Sequence, residues 1–285
     1  MDYSKLGAIQ RPKDERDILL GTVQAPVSIP TTYLPDDSWL VRNFQGQTPT
    51  CGAHASSHFK AVLDHLQNPS LAPHYTPRFS WIRIKAIDGI PLGNGTDMRF
   101  IFKSEQNDGM DDFEPLENDV TLPLPAYSEV SAVTPDMTAN AKPKAIQSYA
   151  FGNTDFESIC QTIYQNGAAL LLVKCDDGFW GTSAPTFTTP EYGHFVCADG
   201  YDENNIRVID SADPNPQFAV KMIAKQYVTP QFFFESGTAV DIPPSVQAVA
   251  THPTLTPEQK ASIIQTILND IEQAVGLVKQ ELGSL

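Results

Sequence analysis

The sequence predicts an α+β protein with two lobes, the first helical and the second rich in antiparallel strands. Two observations support this fold class. Apolar residues recur three and four positions apart between residues 51 and 106, which is the spacing of amphipathic helices. After residue 167, short apolar runs alternate with turn signals such as residues 202–205, which is typical of strands. Helices followed by strands favour two lobes with a cleft between them.

The helices and strands are predicted in chain order from these patterns. The first helix begins at Cys51, and its apolar stripe stops before Asn68-Pro69, a pair that ends helices. We expect further helices at 77–87, 97–106 and 155–165, with an irregular stretch rich in proline and acids at 109–145. The strands are predicted at 168–173, 193–199, 206–210, 218–223 and 231–235.

The chain divides into three parts by composition. Residues 1–28 form an N-terminal extension with few apolar residues, which either packs on the main body or lies across the cleft. Residues 29–240 form the main domain. Residues 241–285 form a linker and a C-terminal amphipathic helix, and Thr256-Pro257 supplies the helix cap and the first helical residue.

The apolar positions of the C-terminal helix follow a heptad pattern. They recur at spacings of four and three: Ile264, Leu268, Ile271, Val275, Val278 and Leu282. Such a seam favours a homo-oligomer assembled through residues 256–282. Ile267 and Ala274 widen the apolar stripe, so a helix docked on its own domain is the alternative.

Composition and charge exclude several classes of partner. The formal net charge is −15, and no cluster of Lys and Arg could neutralise phosphates, so we expect neither nucleic acid nor an anionic membrane surface. The first 21 residues carry many charges and no apolar signal core, which predicts synthesis in the cytoplasm. The four cysteines show no metal-ligand spacing, so no metal site is expected.

Four residues could together form a catalytic site that uses a thiol as its nucleophile. Cys51 lies in the first turn of a helix, where the helix dipole favours the thiolate. His194 begins one predicted strand and Asp210 ends the next, so antiparallel pairing brings the two together. Gln45, six residues before Cys51, can donate to an oxyanion. The set predicts that Cys51 attacks a carbonyl, His194 moves the proton and Asp210 orients the imidazole.

Each of these residues also has an ordinary structural explanation. A lone cysteine is more often a small buried residue, a lone histidine in an apolar run a packed side chain, and an aspartate before a turn a turn former. Three further histidines share the helix of Cys51, and we expect His54, His58 and His65 on a partly solvated face. Only His54 is close enough to compete as the base.

The residues around Cys51 and His194 resemble those of the papain-like cysteine peptidases, especially microbial and phage-type members. Gln45-Gly46 and Cys51 take the places of that family's oxyanion glutamine, glycine and nucleophile. The resemblance extends over about residues 29–235. Segments 75–79, 88–89 and 95–96 resemble the part of the family that leads to the substrate-binding glycines. Segments 192–194 and 202–210 resemble the strand that carries the histidine and the strand that carries the orienting residue.

The resemblance implies a papain-like fold and hydrolysis of peptide bonds without a cofactor. It assigns Cys51, His194, Asp210 and Gln45 to catalysis, and Asn94, Gly95 and Gly193 to binding of a peptide or protein substrate. The charged N-terminus predicts a location in the cytoplasm at synthesis, and the phage-type resemblance leaves a location in a virion open. The alternatives are an acyltransferase or amidase that forms a thioester, and an inactive papain-like structural or binding module.

The chain departs from the family at four places. Gly52 stands where an aromatic residue usually follows the nucleophile, and Thr48 stands where the family has a cysteine. The orienting residue is Asp210 rather than the usual asparagine, and the tryptophan that normally shields it is missing from residues 210–213. An aspartate can still hold the imidazole, and it stabilises the cation.

Overall fold

The computed structural model describes residues 7–239, apart from residues 13, 16 and 113–115. The described helices are α1 (Leu20–Val23), α2 (Cys51–Gln67), α3 (Pro77–Asp88), α4 (Met98–Asp108), α5 (Leu124–Tyr127), α6 (Pro135–Ala141) and α7 (Phe156–Asn166). The described strands are β1 (Ala8–Ile9), β2 (Thr96–Asp97), β3 (Tyr149–Gly152), β4 (Ala169–Cys175), β5 (Tyr192–Tyr201), β6 (Asn205–Ile209), β7 (Val220–Ala224) and β8 (Phe233–Ala239). The predicted C-terminal helix and its heptad seam lie outside the described residues.

A six-stranded antiparallel sheet forms the second lobe, in the order β3-β8-β4-β5-β6-β7. Alternate residues of β4 point to opposite faces of this sheet, as the two-residue period of a strand requires. Leu170 and Leu172 join the core that contains α2 and α4, whereas Leu171 and Val173 join the core that contains α7. The sheet therefore has an apolar core on each face.

Helices α2, α3 and α4 form the first lobe, and α2 packs along β5. Local signals set their ends. The carboxylate of Asp97 caps α4 by accepting from the backbone N–H groups of Arg99 (2.9 Å) and Phe100 (3.2 Å). Asp155 caps α7 in the same way through Ser158, at 2.9 Å. Because α2 lies on β5, its first turn is brought against the start of that strand.

The observed elements agree with the predicted fold class. The four predicted helices correspond to α2, α3, α4 and α7, and the five predicted strands correspond to β4 to β8, with ends that differ by up to four residues. Three short strands, β1, β2 and β3, were not predicted. Each has two to four residues and depends on pairing with a distant strand, so it leaves no periodic pattern in the sequence.

The N-terminal extension packs along the sheet lobe. The backbone N–H of Phe151, in β3, donates to the carbonyl of Ile18 at 2.8 Å. The side chain of Gln161, on α7, both accepts from and donates to the backbone of Val27. Gln165 donates to the carbonyl of Ala25 at 2.8 Å. Hydrogen bonds to the backbone, together with the buried side chain of Leu20, thus attach this segment to β3 and α7.

Candidate active site

The site is built where the start of α2 meets β5. Cys51 is the first residue of α2, and His194 is the third residue of β5. Both residues are completely buried. The predicted approach of the cysteine helix to the histidine strand therefore occurs at the contact between the two lobes.

The hydrogen bond between His194 and Asp210 is the contact that the strand pairing predicts. Strands β5 and β6 are antiparallel, and Cys197 pairs with Ile209, so Asp210 comes beside the start of β5. The Nε2 atom of His194 donates to Oδ1 of Asp210 at 2.8 Å. Oδ1 also accepts from the backbone N–H of Ala212 at 2.8 Å. Since Nε2 is engaged, Nδ1 is the ring nitrogen that remains for the thiol.

The charge state of His194 is set by opposing influences. Burial disfavours the imidazolium, but the hydrogen bond to Asp210 and the nearby thiol of Cys51 raise the pKa of His194 to about 9. Nδ1 itself makes no hydrogen bond of good geometry among the described residues. Catalytic hydrogen bonds in free enzymes are often long and tighten only with substrate. The imidazole is therefore held as a cation near neutral pH, with Nδ1 available.

Asp210 is completely buried but remains charged. Burial raises the pKa of its carboxyl group, and the hydrogen bond and charge of His194, the charge of Lys221 and the Ala212 N–H together bring that pKa below its usual value. Nζ of Lys221 lies 3.5 Å from Oδ2 of Asp210. Sequence reasoning missed this lysine, because only the pairing of β6 with β7 brings it to the site.

Gln45 is held at the site by Ser211, the residue after Asp210. The backbone N–H of Gln45 donates to the carbonyl of Ser211, and the hydroxyl of Ser211 donates to Oε1 of Gln45, both at 2.8 Å. Nε2 of Gln45 donates one hydrogen to the carbonyl of Thr48 at 2.9 Å. An amide nitrogen carries two hydrogens, so one more donor remains for an oxyanion.

The prediction for the histidines of α2 is wrong for two of them. His54 and His58 are fully buried rather than partly solvated, because α2 is covered by α3 and α4 as well as by β5. His54 donates from Nδ1 to the carbonyl of Thr50 at 3.0 Å, and its Nε2 meets the side-chain amide of Asn118. Burial lowers the pKa of His54 to about 4 and that of His58 to about 3. The side chains of both histidines are therefore neutral near pH 7 and form part of the packed interior.

Two further observations concern other classes of site. In the part of the chain that the structure describes, no group of three or more His, Cys, Asp and Glu side chains could hold a metal ion. No helix of residues 7–239, as far as they are described, is both long and apolar enough to cross a membrane.

Several solved structures with the same architecture are cysteine proteases. Xylellain, from Xylella fastidiosa, has a TM-score of 0.66 at 16% identity and covers 83% of this chain and 96% of its own. A digestive procathepsin L2 from Tenebrio molitor has a TM-score of 0.63 at 16% identity, over 83% and 78% of the two chains. A Carica candamarcensis cysteine protease, in complex with E-64, has a TM-score of 0.52 at 14% identity, over 74% and 98%.

The protein has the papain-like fold. No family model matches its sequence, and no curated protein matches it either. The likeness is therefore carried by the fold rather than by overall sequence similarity.

Aromatic side chains cover His194 from a different place than the tryptophan of the papain-like family that the sequence resembles. The ring of Phe179 meets the ring of His194 edge-on, at 5.8 Å between centroids, and Trp180 lies at 6.5 Å. Phe179 is fully buried and Trp180 nearly so. Both come from the segment between β4 and β5, far from Asp210 in sequence. The adjacent aromatic pair after Asp176-Asp177-Gly178 was the only sequence signal for this shield.

The space beside Gly52 is filled by neighbouring side chains. A Cβ at this position would lie 2.9 Å from both Ile101 and Thr96 and 3.4 Å from Phe195. The aromatic residue that usually follows the papain-like nucleophile therefore has no space here, because α4 and β5 fill it.

The glycines expected to bind substrate contact the N-terminal extension instead. Strand β1 pairs in parallel with β2, and the carbonyl of Gly7 accepts from the Thr96 N–H at 2.9 Å. A Cβ on Gly95 would collide with the carbonyl of Gly7, and a Cβ on Gly193 with the carbonyl of Ala8. Asn94 lies just before Gly95 and is exposed. Residues 7–9 thus lie between the two glycines, on the position expected for a substrate.

Proposed function

We propose that this protein is a cysteine-type peptidase that hydrolyses peptide bonds. One observation carries the proposal: the hydrogen bond from His194 Nε2 to Asp210, which leaves Nδ1 as the ring nitrogen available to the nearby thiol of Cys51. The papain-like fold supports it, since the solved structures that share this fold are cysteine proteases.

Acylation uses Cys51 as the nucleophile. The sulfur of the Cys51 thiolate attacks the carbonyl carbon of the scissile peptide bond, while the imidazolium of His194 carries the proton. The resulting oxyanion accepts hydrogen bonds from the Nε2 group of Gln45 and from the backbone N–H of Cys51. His194 then gives its proton to the leaving amine, the C–N bond breaks, and a thioester with Cys51 remains.

Deacylation reverses the roles. His194, now neutral, takes a proton from a water molecule as that water attacks the thioester carbonyl. The C–S bond breaks, the acid product leaves, and Cys51 and His194 return to the thiolate and imidazolium forms. Asp210 keeps the imidazole in the same orientation throughout and favours its cation. An acyltransferase would share the first half of this route and would use an amine in place of water.

Labelling with E-64, an epoxide that alkylates nucleophilic thiols, tests the proposed nucleophile. Incubation of the full chain, followed by peptide mapping with mass spectrometry, should place one adduct on Cys51. Cys160→Ser is the matched control, because burial raises the pKa of the Cys160 thiol to about 12 and its loss should leave the adduct unchanged. Cys51→Ala should abolish both the adduct and the cleavage of an unfolded protein substrate.

The products decide between hydrolysis and transfer. Mass spectrometry of peptides cleaved in water enriched in ¹⁸O should show the heavy oxygen in the new carboxyl group. Incorporation of an added amine in its place would favour the acyltransferase, whereas an unreactive Cys51 in the intact chain and in a form lacking residues 1–10 would favour an inactive module.

A further inference from the structure

Lys221, on β7, is a completely buried cation beside the triad. Its Nζ donates to Oδ2 of Asp213 at 2.9 Å and to the carbonyl of Thr182 at 3.0 Å, and it lies 3.5 Å from Oδ2 of Asp210. Lysine is almost never fully buried unless it is paired. The position of Lys221 is therefore explained by the two carboxylates that it faces.

One oxygen of Asp210 faces Lys221. Its Oδ1 accepts from His194 and from the backbone of Ala212, whereas its Oδ2 is buried and makes no hydrogen bond. Among the described residues, His194 and Lys221 are the two cations within ion-pair distance of this carboxylate. A buried carboxylate oxygen without any cation nearby would be costly.

Phe179 links the same lysine to the imidazole by packing. Nζ of Lys221 lies 5.1 Å from the centroid of the Phe179 ring, and that ring lies 5.8 Å from the ring of His194. The phenyl ring of Phe179 thus lies between the lysine and the imidazole and contacts both. Lys221 can influence His194 through Asp210 and through Phe179 without touching it.

The other titratable groups around Asp210 and His194 do not supply a compensating positive charge. Burial raises the pKa of Cys175, on β4, well above its usual value and lowers those of His54 and His58, on α2, so all three are neutral near pH 7. Asp176 is engaged by N–H and hydroxyl groups of residues 178, 188 and 189 in its own loop. The side chain of Cys51, on α2, also lies near His194 and brings no positive charge.

We propose that Lys221 is a positioning residue of the triad, which holds Oδ2 of Asp210 and balances its charge so that Oδ1 stays on His194. Lys221 faces both carboxylates, Asp210 and Asp213, while His194 faces Asp210. The lysine thereby suits a site whose orienting residue is an aspartate, where the resembling family has a neutral asparagine. This inference rests on the proposed function of Cys51, His194 and Asp210.

Replacing Lys221 by methionine keeps the length of the side chain and removes the charge. The carboxylate of Asp210 then acts on His194 without compensation, so the imidazolium should be stabilised further. We expect the alkaline limb of activity against pH to move upward by about one unit, in line with the effect of a charge at this distance. The kcat/KM at pH 7 should fall, because Oδ2 is no longer held.

The experiment is a double-mutant cycle between Lys221→Met and Asp210→Asn in the full chain. Two readouts are measured against pH: kcat/KM for a peptide, and the rate at which Cys51 is alkylated by iodoacetamide. Asp210→Asn should move the alkaline limb downward, and the double variant should return close to wild type. Lys225→Met is the control, because Lys225 is half exposed and pairs with Glu157 at 2.6 Å, away from the triad.

The alkylation profile separates failure of this inference from failure of the proposed function, since it reports the thiolate–imidazolium pair even if no peptide is cleaved. A folded Lys221→Met protein whose pH profiles match wild type would overturn the inference. Should Lys221→Met fail to fold, a double variant that folds would support it, because the lysine would then be needed only while Asp210 is charged. Failure of both to fold would overturn it.

Discussion

Asp210 carries the largest chemical departure of this site from the family that it resembles. A neutral asparagine orients the imidazole there, whereas here a carboxylate forms a 2.8 Å hydrogen bond with Nε2 of His194. The negative charge helps to raise the pKa of His194 to about 9. Above that pH the imidazolium loses its proton, so activity should decline on the alkaline side.

Substitution of Asp210 should show whether this residue orients the imidazole of His194 or only raises its pKa. Asp210→Asn keeps an oxygen that can accept from Nε2, so kcat/KM should fall by less than about tenfold, or about 1.4 kcal/mol of barrier. Asp210→Ala removes the hydrogen bond that orients the imidazole, so kcat/KM should fall about 100-fold, as it does when a catalytic group is misplaced. Steady-state kinetics with one peptide at pH 7 give both values. Wild-type activity in Asp210→Ala would show that another residue orients His194.

At the scale of elements, the N-terminal segment lies on the position expected for a substrate and should compete with it. Residues 7–9 pair with β2 between Gly95 and Gly193. Polar contacts anchor the residues after β1: the backbone N–H of Arg11 donates to Glu235 at 2.8 Å, and Arg99 pairs with Asp17 at 3.1 Å. The rest of the extension is attached separately, through α7 and β3.

Deleting residues 1–10 should therefore open the substrate site without detaching the remainder of the extension. If the segment occupies the site for 90 to 99% of the time, kcat/KM should rise by about 10- to 100-fold. Alkylation of Cys51 by limiting iodoacetamide should accelerate to a similar degree, while Cys175 and Cys197 stay unreactive because burial raises the pKa of both thiols.

Deletion of residues 1–25 is the comparison for that experiment, since it also removes the contacts of residues 18–25 with β3 and α7. We expect it to lower the melting temperature as well as to open the site. An unchanged or lower rate in the 1–10 deletion would identify the segment as a structural strap that does not restrict access.

The C-terminal helix predicted at 256–282 offers a second test at this scale. The heptad seam of this helix favours a coiled coil of more than two helices. Its two core positions are occupied by Leu268, Val275 and Leu282 and by Ile264, Ile271 and Val278. Light scattering should give a trimer or tetramer for the full chain and a monomer for a chain that ends at residue 250. A monomer in both cases would reject assembly through this helix.

For the molecule as a whole, two buried neutral histidines should make the stability of the fold decrease at acidic pH. The pKa values of His54 and His58 in the folded state, about 4 and about 3, lie below the value of about 6.5 in an unfolded chain. The unfolded state therefore binds more protons below pH 6.5, and the stability present above that pH is lost as the pH falls towards 4. Each histidine should contribute about 1.4 kcal/mol per pH unit over this window.

Urea unfolding at pH 7, 6 and 5 measures this dependence. His58→Gln keeps an acceptor for the backbone N–H of Asn43, which His58 Nε2 accepts at 2.9 Å, and removes one titrating group. Its free energy of unfolding should fall less steeply with acid than that of wild type. Equal slopes in the two proteins would show that His58 does not cause the dependence. His194 acts in the opposite sense: its raised pKa adds stability below about pH 6.5 that is lost as the pH rises through 9.

The sequence by itself determined the features that depend on short stretches of chain and on strand register. The start and end of α2, the starts of α4 and α7 to within one residue and the turn between β5 and β6 follow from local patterns. The approach of His194 to Asp210 follows from antiparallel pairing across that turn, so it could be predicted from two segments sixteen residues apart.

Only the tertiary structure decided which side chains complete and cover that site. Lys221 and Phe179 reach the triad, and Gln45 reaches Ser211, through contacts between segments that no periodicity connects. His54 and His58 are buried because other elements cover both sides of α2, which a helical pattern read from one chain segment does not reveal. Burial and charge balance are sums over distant neighbours, and those neighbours are fixed only when the two lobes and the N-terminal segment pack together.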